Sequence, residues 1–201
     1  MRPGTEGYAE AAARLLRTRL PFEDVHAPIL HLIPRAPSRV LDIGSGPGHD
    51  AARLAAMGHS VVAAEPTPAW LRGASDLHGK NGIRWVEDGL PELGAVRSLG
   101  LRYALVLMTG VWMHLDEEER RDAMPRVASL IEPAGTLALS LRHGPVPAGR
   151  RMFEVGGAET VELARRCGLR LLVEVKGRES IQPANRAAGV TWTVLAFTRP
   201  A

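Results

Sequence analysis

V-L-D-I-G-S-G-P-G-H-D, residues 40–50, is the stretch that decides the fold. Val40, Leu41 and Ile43 make a short apolar run suited to a buried strand, which Gly44, Ser45, Gly46, Pro47 and Gly48 then break. Asp50 to Met57, DAARLAAM, continues as a helix. A strand, a tight glycine turn and a helix start thus follow one another directly. Gly44, Gly46 and Gly48 let the backbone approach a ligand with no Cβ in the way. Pro47 suits a first helical position, where its missing N–H would have no partner anyway.

The glycine spacing separates two nucleotide-binding readings. A dinucleotide turn wants G-x-G-x-x-G, whereas this one is G-x-G-x-G with Asp42 two residues ahead, which disfavours a nicotinamide dinucleotide. The stretch resembles motif I of the class I S-adenosylmethionine (SAM) dependent methyltransferases. The resemblance spans about residues 36 to 198 and rests on four elements in order: the glycine loop, Glu65, Asp88-Gly89, and the strand end at Thr109-Gly110.

Downstream, Gly58 stops the first helix and Ser60-Val-Val-Ala-Ala64 reads as a second buried strand ending at Glu65-Pro66. Glu65 lies 21 residues after Gly44. That is close to the separation of about 20 residues at which an acid after the second strand reaches ribose hydroxyls. A carboxylate accepts both hydrogen bonds of a vicinal diol, and Pro66 biases Glu65 to extended backbone. The competing reading of Glu65 is a solvated loop carboxylate. Thr67 to His78 reads as a helix with Trp70 and Leu71 on its near face, and Gly82 to Glu87 as a third strand closed by Asp88-Gly89-Leu90-Pro91. The resemblance implies that Asp88 accepts the adenine amine; a cap for the turn before Pro91 is the alternative.

Tyr103 to Met108 is the most apolar strand and belongs at the sheet centre beside the first. Ligands in open α/β sheets bind beyond strand carboxyl ends, so Thr109 to Leu115, with Trp112 and His114, is where chemistry is expected. Many small bacterial methyltransferases have an aromatic and a His here. The Asn or Asp followed by Pro-Pro-Tyr or Pro-Phe of amino-group enzymes acting on bases or glutamine is missing, and Cys167 sits far from where a cytosine-directed nucleophile would be. Both classes are disfavoured. Asp116 with Glu119 makes a capping-box start for the helix DEEERRDAMPRVASLI. Pro125 inside it costs roughly 3 kcal/mol, which predicts a kink or two shorter segments. Pro133-Ala-Gly135 stops that helix, and Thr136 to Leu141 forms the fifth strand, ending at Arg142-His143. A loop (GPVPAGRRM), a helix from Gly157 to Cys167, a strand from Leu169 to Val175, a polar loop from Arg178 to Gly189 and a last strand from Val190 to Phe197 follow.

Alternating β-α units closed by two strands without a helix between them predict an antiparallel last strand. The expected fold is α/β: a Rossmann-like, seven-stranded, mostly parallel sheet with helices on both faces. The resemblance implies the order 3-2-1-4-5-7-6 with strand 7 antiparallel. Residues 1–201 are expected to form one domain, with leader helices over 1–35 and the core over 36–201. The leader segments, Thr5 to Arg19 and Phe22 to Ile33, have helix formers and helical apolar spacing. The resemblance implies that they cover the cofactor, with Tyr8 and Phe22 as lid candidates; simple packing onto the sheet is the competing reading.

The 201 residues are 45% hydrophobic and 23% charged, ordinary for a globular chain. Cys167 is the only cysteine and has no ligand-spaced Cys or His beside it, which suits a reducing compartment and argues against a bound metal. Neither a signal peptide nor a run of roughly 20 apolar residues is present, so a cytoplasmic location without membrane contact is expected. The net charge of +3 and pI near 9.6 come from scattered Arg interleaved with acids rather than a patch.

The resemblance implies SAM as cofactor and S-adenosylhomocysteine as product, held by Asp42, Gly44, Ser45, Gly46, Gly48, Glu65, Pro66, Thr67, Asp88, Gly89, Leu90, Thr109 and Gly110. Methyl transfer from a sulfonium is an in-line displacement in which the protein mainly orients. Trp112, His114 and Arg142 are the catalytic candidates. His114 is the first candidate base because its ordinary pKa lies near 6.5; packing against backbone is the alternative. Arg142 and His143 would hold an anionic acceptor or tie the Pro-rich loop, and Arg150, Arg151 and Arg186 read as solvated. A small-molecule acceptor leads, in a monomer or homodimer. An RNA or DNA methyltransferase, a SAM-binding protein without catalysis and a nucleotide-binding module of other chemistry are the alternatives.

Overall fold

The structure, a computed structural model, describes residues 5–8, 19–79 and 82–201. Seven strands, β1 (Arg39–Ile43), β2 (Ser60–Ala64), β3 (Ile83–Val86), β4 (Tyr103–Met108), β5 (Ile131–His143), β6 (Arg170–Glu179) and β7 (Thr191–Thr198), form one sheet. Its order is β3-β2-β1-β4-β5-β7-β6, as expected. β1 pairs in parallel with β2 and β4, whereas β7 runs antiparallel between β5 and β6. Among the described residues the α-helices set out in full are α1 (Phe22–Val25), α2 (His49–Ala56), α3 (Pro68–His78), α4 (Gly94–Arg97), α5 (Glu117–Leu130), α6 (Gly157–Arg166) and α7 (Pro183–Ala187). Among the described residues no helix is long and apolar enough to cross a membrane.

Strand alternation divides the core into two layers. Leu41, Ile43, Val106, Met108, Leu139 and Leu141 face α5 and α6, where Met124, Val127 and Ala164 are buried. Val40, Val61, Leu105, Leu107 and Val194 face the other way, against Ala51 and Leu54 of α2 and Phe22 and Ile29 of the leader. Phe22 therefore packs the leader onto the sheet. The expected leader helix over Thr5 to Arg19 lies mostly outside the described residues. The second leader segment is α1 followed by a 3-10 helix, Ala27–Leu32, with Pro28 in its first turn.

Several expectations are corrected. α5 is one segment through Pro125. The proline lies on the exposed face, as does Arg121, whose carbonyl it deprives of a partner, so water can serve that carbonyl. The capping box forms as expected: Asp116 accepts from the Glu119 N–H at 2.9 Å, and Glu119 accepts from the Asp116 N–H at 2.8 Å. β5 starts at Ile131, because Pro133-Ala134-Gly135 is a bulge rather than a stop, with Ala134 at φ 62°. β6 extends to Glu179, and the expected loop from Arg178 to Gly189 contains α7.

Arg120, 4% exposed, joins α5 to α6 by donating to Glu159 at 2.7 Å, and it also donates to the Leu115 carbonyl at 2.6 Å. Arg120→Ala removes the cation and strands both acceptors. With Glu159 partly solvated, the expected loss is about 2–3 kcal/mol, read as a lower urea midpoint at unchanged slope.

Candidate functional site

The glycine turn is fastened to the end of β2: the Gly44 and Ser45 N–H groups donate to the Ala64 carbonyl at 2.8 and 3.1 Å. Gly44, Gly46 and Gly48 all have positive φ, at 67°, 50° and 73°. Their surroundings differ. A Cβ at Gly44 would lie 2.5 Å from Val111 Cγ2, and one at Gly48 would lie 2.5 Å from Trp85 Cη2. At Gly46 the nearest atoms, the Gly44 carbonyl oxygen and Trp70 Cζ3, would lie 4.0 Å away, so this glycine is the least crowded of the three. α2 begins at His49 with Gly48 as its N-cap, which leaves Pro47 in the turn rather than at the first helical position.

Glu65 is 6% exposed, not solvated. One carboxylate oxygen accepts the Gly46 N–H at 2.9 Å and the other the Thr67 N–H at 2.8 Å. Burial pushes its carboxyl up, against the pull of those hydrogen bonds. Asp42 is 2% exposed and is pushed well up, first by burial and then by Asp50 and Glu65. Asp88, 1% exposed, accepts from Gly89 at 2.9 Å and from Val96 of α4 at 2.8 Å. It ties the end of β3 to α4, a helix the sequence reading missed. A Cβ at Gly89 would lie 2.9 Å from Pro66 Cβ, so these two residues are steric partners. Ser45, Thr67 and Leu90 are buried beside them.

The catalytic candidates separate. Trp112 is fully buried in the core layer facing α5, away from the site surface. Arg142 donates to the Pro145 carbonyl at 2.8 Å and ties the Pro-rich loop, and His143 bonds the Thr193 hydroxyl at 2.8 Å. His114 has both ring nitrogens engaged. Its Nδ1 lies 2.8 Å from the Arg151 carbonyl, which can only accept, so Nδ1 carries the proton. Its Nε2, 2.9 Å from the Tyr8 hydroxyl, then accepts. Burial holds the imidazole below its ordinary pKa and the Tyr8 phenol above its own.

Tyr8 gathers this cluster. Its carbonyl accepts from Trp70 Nε1 at 2.9 Å, its ring stands edge-on to His114, and the Arg150 guanidinium lies 3.6 Å from the ring centre. Arg151 donates to Glu119, to Asp116 and to the His114 carbonyl, clamping the turn to the start of α5. Arg150, Arg151 and Arg186, expected as solvated, all carry intramolecular bonds; Arg186 donates to the Ser180 carbonyl. Sequence reasoning named Tyr8, Trp70 and Arg150 separately but did not bring them together, because their contacts join segments far apart in the chain.

A cavity of about 230 Å³ lies where the ends of β4 and β5 meet β7 and the leader. Thr109 and Gly110 at the end of β4, Ser140 of β5, and Trp192 and Val194 of β7 form its floor, with Leu20 and Val25 among the leader residues that line it. Among the described residues His114, Trp112 and Arg142 do not line it.

Residues 40–135 match the family described as a methyltransferase domain. This stretch is a methyltransferase domain. An uncharacterized methyltransferase of Mycobacterium tuberculosis is 32% identical, over 56% of this chain and 58% of its own length. The match thus spans little more than half of the curated relative. The N-methyltransferase NodS of Bradyrhizobium japonicum, solved with S-adenosylhomocysteine, aligns over 96% of this chain and 99% of its own, at TM-score 0.71 and 16% identity. The 1,6-didemethyltoxoflavin-N1-methyltransferase of Burkholderia thailandensis aligns over 98% and 80%, at TM-score 0.65 and 23% identity. At these identities the likeness shows the fold.

A methyltransferase domain implies SAM, and the residues present fit it. The uncrowded Gly46, the buried Glu65 carboxylate at the end of β2, and a buried Asp42 oxygen without a protein partner lie at the carboxyl edge of the sheet.

Proposed function

We propose that this methyltransferase domain passes a methyl group from SAM to a small-molecule acceptor. The observation that carries the reading is the buried Glu65 carboxylate fixed 2.9 Å from the Gly46 N–H, which pairs a diol acceptor with the open part of the glycine turn. Glu65 would hold the ribose, Asp88, Gly89 and Leu90 the adenine, and Asp42 with Gly44, Ser45 and Gly46 the methionine end. When bound, SAM supplies an electrophilic methyl on a sulfonium. The chain's own residues orient, desolvate and enclose.

A small acceptor is favoured over nucleic acid by where the basic side chains go. Arg53, Arg120, Arg151, Arg165 and Arg166 are paired with acids, and Arg142, Arg178 and Arg199 donate to carbonyls. These eight arginines are engaged by neighbouring groups of the protein, which leaves fewer cations free to meet phosphates. The names of the two solved neighbours, an N-methyltransferase and a didemethyltoxoflavin methyltransferase, support the same reading. Calorimetry with SAM and S-adenosylhomocysteine, then tritiated methyl transfer into a metabolite pool and into bulk RNA, tests it. Saturable cofactor binding with label in small molecules is expected. RNA labelling that falls steeply with salt would replace it with the nucleic-acid reading.

In this reading His114 is a positioning residue that latches Tyr8, not a free base. Tyr8→Phe removes one hydrogen bond and keeps the ring, so S-adenosylhomocysteine should leave about five-fold faster with the melting temperature nearly unchanged. Stopped-flow fluorescence, with Trp70 against Tyr8, reads this. An unchanged off-rate would detach the latch from cofactor retention.

The imidazole also leaves a pH signature. Its ordinary pKa is about 6.5, and burial among Tyr8, Glu6, Arg150 and Arg151 lowers it in the folded protein. Below about pH 6.5 the unfolded chain therefore binds the extra proton first. The contribution is whole above that pH and is lost as pH falls toward the folded value. His59 and His78, also lowered by burial, act in the same sense, while Asp42 and Glu65, raised, act oppositely. Between about pH 7.5 and 5.5 the fall in melting temperature should be smaller in His114→Asn, which keeps a donor for the Arg151 carbonyl, than in the parent. Equal falls would remove His114 from this balance.

A further inference from the structure

We infer that His78, the last residue of α3, is a positioning residue for the cofactor: it acts through the Pro47 carbonyl and holds the glycine turn in the backbone conformation that SAM meets. The inference rests on the methyl-transfer reading above.

The turn needs a restraint from outside. Gly44, Gly46 and Gly48 all sit at positive φ, and glycine enters that region and leaves it at little cost. The first peptides of the turn are tied to the end of β2: the Gly44 and Ser45 N–H groups reach the Ala64 carbonyl, and the Gly46 N–H reaches Glu65. The Pro47–Gly48 peptide is different. Proline leaves its ψ free and glycine leaves its φ free, so this peptide can turn over while its neighbours stay in place. Its N–H bonds within the turn, to the Ser45 carbonyl at 2.8 Å. Its carbonyl is the end fastened to another element. His78 Nε2 lies 3.0 Å from the Pro47 oxygen, which can only accept, so Nε2 carries the proton and donates.

His78 is itself held in place. Its ring stacks beside Trp85 with 21° between the planes, and it stands edge-on to His49, the first residue of α2, at 5.1 Å between ring centres. Trp85 Nε1 donates to the Gly79 carbonyl at 2.7 Å, which anchors the residue after His78. Burial is the main influence on the imidazole and holds it below its ordinary pKa. Near pH 7 it is neutral, and its single N–H is the one committed to Pro47.

Two roles therefore separate. Trp85 packs against Gly48 and contributes stability, whereas the His78 N–H selects the orientation of the Pro47–Gly48 peptide. Without that bond a share of the molecules holds this peptide reversed, and the apparent affinity for the cofactor falls in proportion to the competent fraction.

The test is calorimetry of the full chain with S-adenosylhomocysteine, paired with urea unfolding. His78→Phe keeps a ring against Trp85 but has no donor, and it should weaken S-adenosylhomocysteine about five- to tenfold at a nearly unchanged urea midpoint. His78→Gln loses the ring but carries an amide N–H where Nε2 stood. It should bind within about twofold of the parent while its urea midpoint falls. A purely structural role predicts the reverse order, with the less stable variant binding worse. Should His78→Phe fail to fold, His78→Asn, whose shorter amide stops short of Pro47, replaces it against His78→Gln with the same expected difference. Parent-like affinity in the variant without a donor, or a loss in His78→Gln as large as in that variant, would overturn the assignment. Failure of the parent to bind S-adenosylhomocysteine would instead overturn the methyl-transfer reading.

Discussion

Glu65→Ala should weaken SAM and S-adenosylhomocysteine by at least about 100-fold. Two losses combine. The carboxylate would accept both hydroxyls of the ribose, and each charge-assisted bond of this kind contributes about 1.5–3 kcal/mol. The same oxygens hold the Gly46 and Thr67 N–H groups at 2.9 and 2.8 Å, so their removal also loosens the turn on which the cofactor would rest. Glu65→Gln isolates part of this. Its amide keeps one accepting oxygen but sets an NH₂ against one of the two backbone donors, so a loss of about tenfold to 100-fold and a lower melting temperature are expected together. Burial already raises the carboxyl, so affinity should begin to weaken with falling pH above the ordinary carboxylate range. Calorimetry at several pH values measures all three effects. If Glu65→Ala binds S-adenosylhomocysteine nearly as well as the parent, the ribose assignment is wrong.

What could be read in advance was what local chemistry encodes. The run of Val40, Leu41 and Ile43 before three glycines, the acid 21 residues on, and the Asp116/Glu119 box each need only near neighbours to take shape. The sheet order followed from the resemblance those motifs carry. Elements held by distant partners were not legible. α4 depends on the Asp88 carboxylate reaching the Val96 N–H, and α7 is a five-residue helix without a side-chain cap. Pro125 breaks a local rule, yet α5 tolerates it on its solvent face because the opposite face is buried. Trp112 and His114 are two residues apart, and only packing could assign the indole to the core and the imidazole to Tyr8, 106 residues away. A free base was a sound expectation from pKa alone; the Arg151 carbonyl and the Tyr8 hydroxyl are what the sequence does not display.

The three glycines of the turn should fail in different ways when each is changed to alanine. All three have positive φ, which costs a side chain about 1–2 kcal/mol. At Gly48 the new methyl would also meet Trp85 at 2.5 Å and Ala74 at 3.1 Å. The indole cannot easily yield, because its Nε1 donates to the Gly79 carbonyl at 2.7 Å and its ring stacks beside His78. Overpacking of this kind adds about 1–3 kcal/mol, so Gly48→Ala should lose about 2–5 kcal/mol in urea unfolding, close to the whole stability of many domains. At Gly44 the obstacle is Val111 Cγ2, a single methyl that a change of rotamer can move, so the loss should be smaller. At Gly46 the new methyl would make only ordinary contacts, at 4.0 Å from the Gly44 carbonyl oxygen and Trp70 Cζ3, so the backbone penalty alone applies to the folded protein. The space the Gly46 methyl would enter is the space assigned to the methionine end of the cofactor. Gly46→Ala should therefore keep most of its stability while losing about tenfold or more in S-adenosylhomocysteine affinity, the reverse of Gly48→Ala, whose folded fraction should bind nearly normally. Urea midpoints and calorimetry on the same preparations distinguish the two patterns. Undiminished binding in Gly46→Ala would mean that the cofactor does not lie across this turn.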